Sequence, residues 1–312
     1  MAEATYLEEL HIRLALGAAR LPEEVLAPVR NFLASSQRLD GGFAGREGDS
    51  DLYYTGFGLR GLAVSGAITP AVCEAAAGFI RTRLGQPAGA VDFVSLLYAG
   101  LLIRVCGGPD VLEESSPDWA GRIAGALERH RSPDGGYAKT AGGKMGSTYH
   151  TFLVALAHEM IGRPLPAPER VVEFLRSRRR DDGGFVELAV MKRSGANPTA
   201  AAVALARMLG DGGGLTRGAA DCLLALQSPE EGGFCANRSM PVADLLSTFT
   251  ALLTLRDLGA LDRVDRERAR AFAMSLVTPA GGFRAGVWDD QADVEYTFYG
   301  LGSLALLEEV KE

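Results

Sequence analysis

A chain of 312 residues with a formal net charge of -7 and no lysine or arginine stripe lacks the basic face that nucleic-acid phosphates need. Its 47% hydrophobic content excludes a disordered chain. No uncharged apolar run reaches the roughly 18–20 residues of a membrane span, the longest candidate being residues 93–103.

The first residues, MAEATYLEELHIRLALGAARL, place acids where a secretory signal places basic residues, so a cytoplasmic protein is expected. The four cysteines, Cys73, Cys106, Cys222 and Cys235, show no CxxC spacing and fit reduced, packed thiols. The basic run Arg178, Arg179, Arg180 reads as a solvated helix end.

A double glycine closed by an aromatic ring recurs along the chain, as LDGGF, PDGGY, DDGGF, EEGGF and PAGGF, with first glycines at Gly41, Gly135, Gly183, Gly232 and Gly281. The later steps are 48, 49 and 49 residues, and the first, 94, is about two periods. A degenerate copy, GQPAGAVDF, fills the gap at residues 85–93. Six units of about 48 residues follow, over about 21–68, 69–108, 116–162, 166–210, 216–260 and 263–310, after a helical extension over about 1–20.

Each unit carries two helix signals. Thr69-Pro70, Ser116-Pro117-Asp118, Ala167-Pro168-Glu169, Thr216 and Asp265 open helices with a charged face. Asp51, Asp92, Ser147, Asn197, Asp244 and Asp293 are capping residue types ahead of helices that are apolar nearly all round. The expected fold is all-α, a single (α/α)6 toroid of helical hairpins spanning 1–312 with the apolar helices inside. The glycines then act as corner pieces that take positive φ, and strand signals are nearly absent. Inner helices that all run one way gather their positive N-terminal ends at one rim, which suits an anion although four of the six caps are aspartate.

The stretches QRLDGGFAGREGDSDLYYTGFGLRGL and TPAGGFRAGVWDDQADVEYTFYGLGSL resemble repeats of the protein prenyltransferase β subunit, within the prenyltransferase/squalene oxidase repeat superfamily, over about residues 20–308. Gln37 to Phe43 also resembles the QxxxGxW motif of the squalene and hopene cyclases, with Phe for Trp. The resemblance implies a toroid with a greasy central cavity for an isoprenoid chain. It also implies a zinc site of Asp, Cys and His, which fall here at Asp244, Leu246 and Tyr296. Only the carboxylate survives, so no zinc cofactor is expected and thiolate activation is not the expected chemistry. His150 holds the equivalent helix position in the third unit, as a cavity-lining group, a proton carrier or a substrate contact.

The resemblance further places Arg238 where the family binds diphosphate, while Pro241 replaces an expected lysine; Lys144, Lys192 and Arg193 offer charge in equivalent loops. No DxDD acid motif is present, so the protonation-driven cyclisation of the cyclase branch is not the expected chemistry. Asp289 to Asp293 spells DDxxD, but it falls in a loop with Asp293 engaged as a cap, so magnesium is left unsupported. Neither GCGEQ, the mark of the related thioester domains, nor the Cys/Cys/His zinc set of lanthipeptide cyclases is present.

Tyr53, Tyr54, Phe57, Phe93, Tyr98, Tyr149, Phe152, Phe249, Tyr296, Phe298 and Tyr299 fall on inner helices beside Gly56, Gly58, Ala200, Ala201 and Ala202, so rings face small residues and leave room for a branched hydrocarbon. Asp244, His150, Tyr296 and Asp293 are the candidate catalytic residues. The expected function is an isoprenoid-binding, prenyltransferase-like enzyme acting on a prenyl diphosphate by transfer or cyclisation without zinc. Two alternatives are a non-catalytic lipid-binding or protein-interaction toroid and a zinc-dependent β-type subunit with displaced ligands. Family members of the protein-modifying branch pair with a helical-repeat α subunit, and the need for one here is open.

Overall fold

A computed structural model of the chain describes residues 4–84, 89–113, 118–210 and 214–308. Part of the degenerate repeat copy (85–88) and the residues Ser116 and Pro117 lie outside them. The structure is built of helical pairs. An N-terminal helix α1 (Tyr6–Ala18) precedes the pairs α2 (Glu23–Ser35) and α3 (Leu52–Val64), α4 (Pro70–Arg81) and α5 (Ala90–Val105), α6 (Trp119–Glu128) and α7 (Thr148–Met160). These are followed by α8 (Pro168–Arg178) and α9 (Ala196–Met208), α10 (Ala219–Leu224) and α11 (Leu245–Asp257), α12 (Arg266–Ser275) and α13 (Val294–Leu307). The all-α expectation holds with one exception, a short antiparallel hairpin of β1 (Cys235–Asn237) and β2 (Met240–Ala243).

The second helix of each pair is the buried one. In α13 every residue except Glu295 and Tyr296 is buried, whereas α8 buries only Val171, Phe174, Leu175 and Arg178. The chain forms two compact units, one of residues 1–122 with 273–312 and one of residues 123–272. In the first unit α3 packs beside α5 and α13, and α1 lies against α13 and α3, so the last repeat meets the first. In the second, α9 packs between α7 and α11.

Within each unit the buried helices start at the same end. The Tyr53 hydroxyl, in the first turn of α3, bonds the Glu295 carboxylate, in the first turn of α13, at 2.6 Å. In the second unit Thr148 of α7 donates through its hydroxyl to Val186 O at 2.7 Å, in the loop that enters α9. Thr250 of α11 donates to Asn197 Oδ1 of α9 at 2.8 Å.

The double-glycine element is the device that fixes those starts. The backbone N–H groups of Phe43, Tyr137, Phe185, Phe234 and Phe283 donate to the hydroxyls of Thr55, Thr151, Thr199, Thr248 and Thr297 at 2.9–3.0 Å. The carbonyls of Phe43, Tyr137, Phe185 and Phe234 accept the N–H of Asp51, Ser147, Gly195 and Asp244, and Phe283 pairs with Asp293 as an isolated antiparallel bridge; these five are the residues that cap the following helices. Each aromatic ring is fully buried. An acid just before the glycines ties the loop back: Asp40 accepts from Ser50 Oγ at 2.9 Å, Asp134 from Gly146 N at 3.1 Å and Glu231 from Ala243 N at 2.7 Å. The first glycine needs its freedom: Gly281 has φ +92°, and a Cβ there would stand 2.3 Å from Pro28 O.

Three local expectations change. Helices α5 and α9 are capped by Gly89 and Gly195 rather than Asp92 and Asn197. Asp92 instead bonds back to the Gly89 N–H from the third helical position, and Asn197 is taken by Thr250. Helix α10 begins at Ala219 after Gly218, three residues beyond Thr216, because Gly218 takes φ +85°. Arg178 is not solvated: it is 2% exposed, pairs with Asp134 and stacks 4.2 Å over Phe174. The arginine run therefore ends α8 with a buried cross-link to the preceding PDGGY corner.

Candidate functional site

The first unit contains a wall of rings on α3, α5 and α13. Tyr53, Phe57, Phe298 and Tyr299 meet edge to face, with centroids 4.9–5.9 Å apart, and Tyr54 and Tyr296 extend the set. This spacing is that of favourable aromatic pairs. Phe57, Phe298 and Tyr299 are buried at 4%, 3% and 8% exposure, so they pack against one another, while Tyr53, Tyr54, Tyr296 and Phe93 are half-buried.

Three polar groups are set into this wall. Glu295 accepts from Tyr53 and also bonds Tyr299; burial raises its carboxyl above the usual range, and those tyrosines only partly offset the rise. Arg60, in the last half of α3, places its guanidinium carbon 3.9 Å from the Phe57 centroid, 5.0 Å from Phe298 and 5.3 Å from Tyr98. His11 of α1 bonds the Tyr98 hydroxyl at 3.0 Å; burial and the nearby Arg60 charge lower its pKa to about 4. The faces of Phe57, Phe298 and Tyr98 thus already hold a cation.

At the helix-start end of this unit, Arg46 reaches both Asp289 and Asp293. Asp289 also accepts the N–H groups of Ala285 and Gln291, so despite its burial cost its pKa falls below the usual range. Two of the three carboxylates of the DDxxD run therefore share one guanidinium within the protein. Asp293 caps α13 by accepting the Tyr296 N–H at 2.8 Å, and Arg46 lies 5.6 Å from the Tyr296 ring.

In the second unit, Ser147 caps α7 and bonds both Glu187 and His150 Nδ1, the latter at 2.9 Å. A hydroxyl that donates to the carboxylate accepts a hydrogen bond from the ring's Nδ1–H, which leaves Nε2 with a lone pair. Burial, then the charges of Lys139 and His130, lower the His150 pKa. The arrangement is a neutral imidazole able to accept a proton or hydrogen bond. Beside it Tyr149 is 39% exposed, Phe152 is half-buried and Phe249 is buried.

Lys144 and the pair Lys192 and Arg193 are exposed in the loops that lead into α7 and α9, and Arg238 in the turn of the β-hairpin before α11. None of the four has an ion-pair partner among the described residues. Asp244 caps α11, accepting from Ser247 through N–H at 2.7 Å and through the hydroxyl at 2.8 Å; burial raises its pKa. Leu246 offers no donor atom, so Asp244, Leu246 and Tyr296 do not fit zinc. Among the described residues no three His, Cys, Asp or Glu side chains gather as a metal site. The thiols of Cys73 and Cys106 bond each other, and burial raises Cys73 to about 11, as expected of unreactive packed cysteines.

Glu295, Arg60, His11 and Glu187 were not legible as site residues. Glu295, in the first turn of α13, and Arg60, two turns along α3, sit in helices whose apolar patterning hides a single charge, and His11 and Glu187 act through contacts with residues 87 and 40 positions away. Among the described residues no helix is long and apolar enough to cross a membrane.

Comparison with solved structures places this arrangement of helices. A variant of the type II terpene cyclase MstE from Scytonema, in complex with geranylgeranyl dihydroxybenzoate, is similar with a TM-score of 0.64 at 16% identity, over 96% of this chain and 99% of that one. Candida albicans protein geranylgeranyltransferase-I complexed with GGPP is similar with a TM-score of 0.59 at 16% identity, over 96% of this chain and 84% of that one. A protein from Actinoplanes reaches 0.63 at 18% identity over 91% and 98%. These identities show a shared fold. No curated protein sequence matches significantly. The prenyltransferase alpha-alpha toroid domain matches residues 26–83, 100–235 and 214–312, and with most of its length so matched the chain belongs to that family.

Proposed function

We propose that this protein binds an isoprenoid, in the first instance a prenyl diphosphate, and cyclises or transfers its chain without zinc. The observation that carries the reading is the Glu295 carboxyl, held by Tyr53 and Tyr299 within the ring wall of Phe57 and Phe298. A carboxyl whose pKa is raised in apolar surroundings is suited to give a proton to a carbon–carbon double bond. In that cyclisation the alkene takes the proton, ring closure moves the cation along the chain, and loss of a proton to a base or addition of water ends it. In the second unit taken by itself, the exposed Lys144, Lys192, Arg193 and Arg238 are proposed to bind a diphosphate group, and His150 to move a proton there. The fold supports the reading, since it is shared by a terpene cyclase and a protein geranylgeranyltransferase.

One observation favours a second reading, a non-catalytic lipid-binding toroid. Arg60 occupies the faces of three rings that an intermediate carbocation would need. Incubation with farnesyl and geranylgeranyl diphosphate separates the two: the enzyme gives a cyclised product that keeps its diphosphate and is seen as a new terpenol on gas chromatography after phosphatase treatment, whereas a binder gives a thermal shift and returns its ligand unchanged. Absence of both rejects the isoprenoid reading altogether.

A further inference from the structure

Arg60 is a permanent cation two turns into an apolar helix, and its wiring is incomplete. Nε donates to Gly56 O at 3.1 Å, one helical turn back, and that is its one hydrogen bond among the described residues. The two terminal nitrogens have neither an ion-pair nor a hydrogen-bond partner among those residues, and neither is sealed from solvent without a partner. Phe57, Phe298 and Tyr98 hold the guanidinium plane in place, while Tyr98 is itself fixed by His11 and, at 3.4 Å, by Leu7 O. An arginine so positioned offers a rigid fork of free N–H groups at the end of an aromatic surface.

We infer that Arg60 is an anchoring site for the carboxylate of a long apolar monoacid, with the rings of α3 and α13 receiving its hydrocarbon. The inference rests on the isoprenoid reading above and sharpens it by naming an acid terminus as a recognised group. Guanidinium and carboxylate match in charge and in bidentate geometry. A diphosphate is a poorer match here. It brings more than one negative charge to a single cation, the neighbouring His11 stays neutral at ordinary pH, and the Glu295 carboxyl adds negative charge when ionised. Around the guanidinium, the hydroxyls of Tyr53 and Tyr299 are engaged by Glu295 and that of Tyr98 by His11, while the terminal N–H groups of Arg60 stay open as donors.

The test is a binding series on the intact protein with geranylgeranoic acid, geranylgeraniol, geranylgeranyl diphosphate and oleic acid, read by native mass spectrometry and calorimetry. The wild type binds the acid at least about tenfold more tightly than the matched alcohol, the size expected of a charge-assisted pair. Arg60→Met loses that preference while keeping its affinity for the alcohol, and Arg60→Lys keeps part of it. Equal binding of acid and alcohol by the wild type overturns the inference whether or not the variants fold, and so does a preference that survives in Arg60→Met. Tight binding of oleic acid without any isoprenoid binding upholds the Arg60 site and rejects the isoprenoid reading. Tight binding of geranylgeraniol and the diphosphate with no preference for the acid does the reverse.

Discussion

Lowering the pH from 8 to 5 is expected to loosen the packing of α1 through one residue, His11. Its Nδ1 lies 3.0 Å from the hydroxyl of Tyr98, a residue only 6% exposed, and burial together with the Arg60 charge holds its pKa at about 4 against an ordinary 6.5. A lowered histidine binds its proton less well in the folded than in the unfolded chain. Its contribution is therefore complete above pH 6.5 and is lost as the pH falls toward 4. The full gap of about 2.5 pH units is worth roughly 3 kcal/mol, of which about 2 kcal/mol is lost by pH 5. Urea unfolding at pH 8 and pH 5 measures this against His11→Asn, which keeps a polar group near Tyr98 but does not titrate. Carboxylates elsewhere titrate in both proteins and cancel in the difference. The wild type should lose about 2 kcal/mol more than the variant over that range. Parallel losses in the two proteins would refute the assignment of His11 as a neutral buried group. In Arg60→Met the coulombic part of the shift disappears, so the folded-state pKa of His11 rises toward 6.5 and less stability is lost between pH 8 and pH 5.

Two other perturbations test the corner element and the wall. Thr297→Val leaves the buried N–H of Phe283 without its acceptor and should cost about 1–3 kcal/mol in denaturant unfolding, with Thr297→Ser restoring most of it. Glu295→Gln keeps an acceptor for Tyr53 while removing the acid proton. If the protein cyclises isoprenoids, turnover should fall at least about a hundredfold with ligand-induced thermal shift retained, and an unchanged rate removes Glu295 from the chemistry.

The repeat was legible because it is written in glycine and aromatic residues whose roles are local. A GG pair followed by Phe or Tyr at a fixed period identifies helix pairs, and the apolar runs behind it identify their buried members. The threonine four residues beyond each cap completes the clamp and is equally periodic, at Thr55, Thr151, Thr199, Thr248 and Thr297. A search for hydrophobic pattern passes over it, since a threonine inside a helix carries no signal until its partner is known. Asp92 and Asn197 show the converse: good capping residue types three and two positions inside helices whose true caps are glycines. The site residues that depend on neighbours distant in sequence were hidden for the same reason. Arg178 reads as surface charge beside Arg179 and Arg180, and only the fold brings it to Asp134.

The expectation of an anion-binding rim divides between the two units. In the first, α3 and α13 begin with Asp51 and Asp293, Glu295 follows within the first turn of α13, and Arg46 is consumed by Asp289 and Asp293. Carboxylates there cancel the positive helix ends. In the second, α7 and α9 start from Ser147 and Gly195, which carry no charge, and the loops ahead of them expose Lys144, Lys192 and Arg193 without ion-pair partners among the described residues. The helix ends and the loop cations add in the same sense, with Asp244 on α11 and Glu187 as the opposing charges. Affinity for a free anion should therefore belong to the second unit. Pyrophosphate titration of the Lys192→Glu, Arg193→Glu double variant should show binding at least about tenfold weaker than the wild type, and raised salt should erase the difference. Arg46→Ala should leave pyrophosphate binding unchanged, because that guanidinium is already spent. If Arg46→Ala weakens binding and the charge-reversed pair does not, the diphosphate assignment to the loops before α7 and α9 fails.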